Sequence, residues 1–208
     1  ALSADCKSNI FASPTITMLS AIGVSCLAVL LLAVGWLGLD ANPISAFSER
    51  GHEFLLNMVF ILCVGSIATA IIRDLSVPGR SPRLPFIIIV APFILLGCLA
   101  VYELRALSLH NLFPHLSHAS ILTCIWQTLV LAVPPFSILA IGVRRLAPTD
   151  LRRSGFYVGL LAGAIGAMGY CLHAPSNTFV FGSIIYPVSI ATVALVGGLI
   201  GPRLLRWR

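Results

Sequence analysis

Six long apolar runs, at roughly 16–39, 54–72, 84–102, 119–143, 155–173 and 178–200, constrain this chain more than any other feature of it. A helix needs about 20 apolar residues to cross the hydrocarbon of a bilayer. In lipid, every backbone polar group must be satisfied within the segment, so a run of that length folds as a helix. The connections have the opposite character. "DANPISAFSERGHE" holds Pro43 and four charges, "RDLSVPGRSPR" is a Pro/Gly/Arg turn, and "ELRALSLHNLFPHLSH" is the longest loop. "RRLAPTDLRR" and "HAPSN" are short, and the loop around 146–153 makes spans four and five antiparallel neighbours. Composition agrees. The chain is 58% hydrophobic and 10% charged, whereas a soluble domain is about a quarter charged. The expected fold is an all-α membrane protein with six transmembrane helices.

Orientation follows from where the cations fall. With the N-terminus in the cytoplasm, the inner side holds Lys7, Arg73, Arg80, Arg83, Arg144, Arg145, Arg152, Arg153, Arg203, Arg206 and Arg208. The outer side holds only Arg50 and Arg105. Inner loops of membrane proteins carry such an excess, so both termini are expected in the cytoplasm. The net charge of +6 then reads as a topology signal, with attraction to anionic inner-leaflet lipid second, and not as a nucleic-acid signal. Three regions result: a cytoplasmic N-terminal arm (1–15), a six-helix bundle (16–201) and a basic cytoplasmic tail (202–208). Residues 1–13 are polar and the first apolar run is long enough to stay in the membrane, so no cleavable signal peptide is expected.

The spans contain no deep Asp, Glu, Lys or Arg. Such groups mark ion pathways, and their absence weighs against a charge-coupled carrier. Spans five and six have small faces instead: Gly155, Gly159 and Gly163 at a four-residue period, continued by Gly166 and Gly169, then Gly197, Gly198 and Gly201. Small faces let helix backbones approach closely. The expected use is packing within the bundle, with a homodimer seam as the alternative. Pro134 and Pro135 are expected to kink span four.

All five histidines (His52, His110, His115, His118 and His173) fall on the outer side. His115 and His118, three residues apart and near His110, form a weak candidate for a metal site; the alternative is an interfacial segment whose imidazoles face water. Of the cysteines, Cys6 is cytoplasmic and Cys26 and Cys63 are mid-span packing residues. Cys98, Cys124 and Cys171 each lie about one turn from the outer end of a span. Counted from the 146–153 loop, Cys124 and Cys171 differ in height by roughly 6 Å. That suits a thiol pair in an oxidising compartment, with His173 beside it to favour thiolate or bind metal. Two unrelated buried cysteines remain the alternative.

Three stretches, "LTCIWQTLVLAVPPFSILAIGVRRLAPT", "GFYVGLLAGAIGAMGYCLHAPSN" and "YPVSIATVALVGGLIGPRLLRW", resemble the NrsF-type anti-sigma factors. The resemblance implies a regulator without catalytic activity. Such a protein would hold an extracytoplasmic-function sigma factor at the bacterial inner membrane and release it on heavy-metal or oxidative stress. It implies two outer sensor cysteines, of which Cys124 matches the first. The second normally follows the "LH" directly, where this chain has Ala174, which leaves three alternatives: Cys171 substitutes for it, Cys98 does, or this chain has lost the pair. No resident cofactor is implied, only a transient soft metal ion at the thiols. The implied partners are the sigma factor and the lipid bilayer, with no direct nucleic-acid contact. The inner-face arginines Arg144, Arg145, Arg152 and Arg153 are candidates to meet the partner or lipid.

Two rival functions stay in view. One is a non-catalytic structural or accessory subunit of a larger membrane complex, which the small helix faces suit equally well. The other is a carrier or membrane enzyme using the outer histidines, against which stand the absence of H-E-x-x-H, of an intramembrane carboxylate and of a phosphate loop.

Overall fold

The computed structural model describes residues 14–38, 43–75, 87–106, 118–144, 146, 150–173 and 179–204. Among these residues there are six α-helices and no strand: α1 (Pro14–Leu32), α2 (Pro43–Leu75), α3 (Ile87–Ala106), α4 (His118–Arg144), α5 (Leu151–His173) and α6 (Phe179–Leu204). A π-helical turn, Ala33–Leu37, extends α1 and ends at Gly38, whose φ is 78°. A side chain there would be strained, so glycine is the residue that allows this exit.

Five of the helices are long and apolar enough to cross a membrane; in α3 the apolar stretch is the shorter Ile87–Tyr102. Each of the six expected apolar runs overlaps one helix, and the helix ends differ from those expected. The segment expected to connect spans one and two is largely helical, because α2 already starts at Pro43. Proline is favoured in the first helical turn, where its missing N–H would have had no partner anyway. The 33 residues of α2 reach about 50 Å, more than the roughly 30 Å of hydrocarbon that a span has to cross. At the other terminus α6 runs through Leu204, so the expected basic tail begins inside a helix.

The surface is apolar. Leu19, Leu31, Leu122, Trp126 and Leu199 are each more than 60% exposed. The central helix is built largely from small residues. Sixteen of the 23 residues of α5 are buried, among them five glycines and three alanines, which makes α5 the axis of the bundle. It packs against α6, α4, α2 and α1. An apolar surface around a central helix rich in small residues suits lipid, which is as apolar as leucine, so helices there gain from close packing rather than from escaping solvent.

The α5–α6 seam shows how close the packing is. A Cβ on Gly155 would fall 2.7 Å from the Gly201 Cα, and one on Gly163 3.0 Å from the Ile190 Cα. One on Gly159 would meet the Val193 carbonyl and lie 2.9 Å from the Ala194 Cα. As numbers rise along α5 they fall along α6, so the two helices are antiparallel. The glycine stripe of span five is thus used inside the chain. Gly166 does the same for α4, where its Cβ would lie 2.8 Å from the Ala132 nitrogen, two residues before Pro134.

Asp150 starts α5. Its Oδ1 accepts from the backbone N–H groups of Arg152 and Arg153, both at 3.1 Å, and its Oδ2 pairs with Arg153 Nε at 3.2 Å. This is an N-cap, which satisfies donors that the first turn leaves free. Replacing Asp150 by Ala is expected to cost about 1 kcal/mol, read as a lower thermal midpoint of the solubilised protein; Asp150→Asn should retain most of the cap.

Candidate functional site

Cys124 and Cys171 lie on neighbouring helices at the same end of the bundle. Cys124 is in the second turn of α4 and Cys171 is two residues before the end of α5. Both thiols are free. Cys171 is 2% exposed, and Cys124 is half-buried.

Each thiol is held by a tyrosine. The Tyr170 hydroxyl donates to Cys124 Sγ at 2.8 Å, crossing from α5 to α4. The Tyr186 side chain of α6 reaches the Cys171 thiol. The two contacts point different ways because Tyr170 and Cys171 are consecutive and so stand about 100° apart around the helix. Tyr170 faces α4, and Cys171 faces α6. Tyr186 also lies within electrostatic range of Tyr170 and Cys124, so the four groups form one cluster. The backbone holds Cys124 as well, since its carbonyl accepts from Thr128 Oγ1 at 2.8 Å.

The cluster extends in two directions. Toward α1, the Tyr170 and His173 rings are tilted at 57° with centroids 6.3 Å apart, and His173 Nδ1 is 2.8 Å from the Gly38 carbonyl oxygen. His173 thereby ties the end of α5 to the exit of the π-helical turn. Toward α2, a Cβ on Gly182 would lie 2.6 Å from Asn57 Nδ2 and 3.0 Å from Tyr186 Cε2, so the Asn57 amide and the Tyr186 ring edge meet over that glycine.

The other candidates are placed as follows. Cys98 is exposed on α3, a helix that packs on α2 and α6. His110, His115 and Arg145 lie outside the described residues, as do the imidazoles of His52 and His118. Among the described residues, no three of His, Cys, Asp and Glu converge as a metal site. Arg144, Arg152 and Arg153 are exposed around the α4–α5 connection, at the end of the bundle opposite the thiols. Arg73 and Arg203, also exposed, close α2 and α6 at that same end.

Reading the sequence for cysteines and histidines overlooked Tyr170, Tyr186 and Asn57. A signal for them existed. Asn57 and Tyr186 are polar residues inside apolar spans, and such residues seldom face lipid.

Residues 2–207 match the family NrsF, described as negative regulator of sigma F. Over all 208 residues the chain is 29% identical to the anti-sigma-F factor NrsF of Caulobacter vibrioides, covering 96% of that protein. Over 189 residues it is 29% identical to a probable anti-sigma-F factor NrsF of Azospira oryzae, covering 85% of this chain and 87% of that one. No solved structure matches.

Proposed function

The chain belongs to the NrsF family of negative regulators of sigma F, and from that membership we propose how it works. It spans the bacterial inner membrane with its termini in the cytoplasm and sequesters an extracytoplasmic-function sigma factor. It releases that factor when the thiols at its outer end are oxidised or take up a soft metal ion. The observation that carries the reading is the family match along nearly the whole chain. The role is regulatory and not catalytic.

The arginine-rich end suits the cytoplasmic side. There the N-terminal arm, residues 1–15, binds the sigma factor. Arg144, Arg145, Arg152 and Arg153 meet the partner or anionic lipid. The thiol end then faces the oxidising compartment. With a hydroperoxide the reaction balances as two thiols and ROOH giving one disulfide, ROH and water. A soft ion would instead take Cys124 and Cys171 as thiolates, releasing two protons.

The signal travels along α5. Its 23 residues span roughly 35 Å, from Cys171 at one end to the Asp150 cap and the arginines at the other. A chemical event can shift an equilibrium only if it interacts differently with two states. Joining or bridging Cys124 and Cys171 does so, because it breaks both tyrosine contacts and moves the end of α5 against α4.

The test is affinity purification of the detergent-solubilised protein from its host, with and without cadmium or peroxide treatment of the cells. A sigma factor that co-purifies from untreated cells and is lost after treatment is the expected result. Stable co-purification with other membrane subunits, and no sigma factor, would replace this reading with that of an accessory subunit.

A further inference from the structure

A buried polar atom without a partner is rare, and each one calls for a reason. Asn57 on α2 is 4% exposed, and its Oδ1 is buried without a hydrogen-bond partner. In an apolar, lipid-enclosed interior such an acceptor is costly to keep. The amide sits over Gly182 beside the ring of Tyr186. Asn57 Nδ2 and Tyr186 Cε2 both crowd the space that a side chain on Gly182 would fill, at 2.6 and 3.0 Å from that Cβ position. Cε2 adjoins the ring carbon that bears the Tyr186 hydroxyl. A half-turn of the amide exchanges its oxygen and nitrogen and puts the acceptor on the side where the Tyr186 ring lies.

We propose that Tyr170, Tyr186 and Asn57 are positioning residues of the thiol site: Tyr170 holds Cys124, Tyr186 holds Cys171, and the Asn57 carbonyl is the second acceptor that receives the Tyr186 hydroxyl once Cys171 is taken up by another bond. The inference rests on the sensor reading of Cys124 and Cys171. It adds how the resting state is kept and why the responding state is accessible.

In the resting state the two phenols hold the thiols apart, on two different faces of α5. Neither sulfur can join the other until its tyrosine lets go. A Tyr186 hydroxyl released into an apolar interior with no acceptor would oppose the change. Asn57 removes that obstacle. The hydroxyl changes partner from Cys171 to Asn57, and the unpaired carbonyl is satisfied in the same movement. The switch therefore has one unpaired acceptor at rest and none after the response. Because Asn57 is on α2 and Tyr186 on α6, the exchange also draws α6 toward α2 and carries the event beyond α5.

The experiment uses the full chain in native membranes, with N-ethylmaleimide as probe and mass spectrometry to quantify each cysteine separately. Tyr186→Phe is expected to raise the labelling rate of Cys171 about fivefold, the factor that one ordinary hydrogen bond is worth, while Cys124 stays within about twofold. Tyr170→Phe should do the reverse. General loosening of the bundle would raise both rates together in both variants, and that pattern would overturn the proposal. Asn57→Leu should leave resting labelling unchanged but abolish the protection of both thiols that follows peroxide treatment, and Asn57→Asp, which keeps an acceptor, should restore it. Normal peroxide protection in Asn57→Leu would also overturn the proposal. All of these readouts are taken on thiols alone. A chain that shows the expected labelling pattern but holds no sigma factor would keep the switch and discard the proposed function.

Discussion

Replacing Gly159 by leucine is expected to be the most damaging single change in the bundle. A Cβ there would meet the Val193 carbonyl and stand 2.9 Å from the Ala194 Cα. Both atoms are backbone of α6, so no side chain can rotate away. The helices must separate along the seam, and α5 loses contact with the partner it packs against most extensively. Overpacking a filled core typically costs about 1–3 kcal/mol, and a clash with backbone over a whole leucine belongs at or above the top of that range. The measurement is the thermal midpoint of the protein in detergent, with the fraction remaining monodisperse after heating. Gly23→Leu is the control, because nothing lies within 4 Å of a Cβ at that position; its midpoint should not move. Equal losses in the two variants would mean that the seam is looser than these contacts require.

The second large effect is functional. Cys124→Ser is expected to uncouple stress from sigma release. Serine is smaller and harder than cysteine, and it can form neither a disulfide nor a soft-metal thiolate bond. It can still accept from Tyr170, whose hydroxyl is 2.8 Å from the sulfur, so the resting arrangement should persist. The variant should therefore hold its sigma factor at wild-type levels and stay silent under cadmium or peroxide. A reporter for the sigma-dependent genes that responds more than tenfold in the wild type would show less than twofold induction in the variant, a loss of about 1 kcal/mol of switching. Wild-type induction in Cys124→Ser would remove Cys124 from the mechanism. High reporter activity without stress would instead assign Cys124 to sequestration and not to sensing.

Most of the site was legible in part from the chain. The Cys124 and Cys171 heights, counted from the 146–153 loop, put the two thiols near one level. The helix faces were not legible. The sequence stretch "YC" at 170 and 171 places a phenol and a thiol side by side, yet the helical twist sends them to α4 and α6 respectively. Nothing local says which neighbour each will meet. Asn57 was passed over for a similar reason: an asparagine near the end of an apolar run reads as an interfacial residue until α6 is laid against it.

What the sequence determined by itself is the class of fold. Long apolar runs must be helical in lipid, because no water is there to satisfy the backbone, and the asymmetry of eleven arginines and lysines against two sets the expected orientation. The stripe at Gly155, Gly159 and Gly163 marked a close helix contact for the equally local reason that three missing side chains in register leave a flat face. Tertiary structure alone decided which helix occupies that face, that α5 rather than any other is the axis, and that each cysteine is paired with a tyrosine from a different direction. Those outcomes depend on how six helices rotate about their own axes, and in a bilayer rotation is chosen by mutual packing. Hydrophobicity cannot choose it, because lipid and protein interior are alike to a leucine side chain.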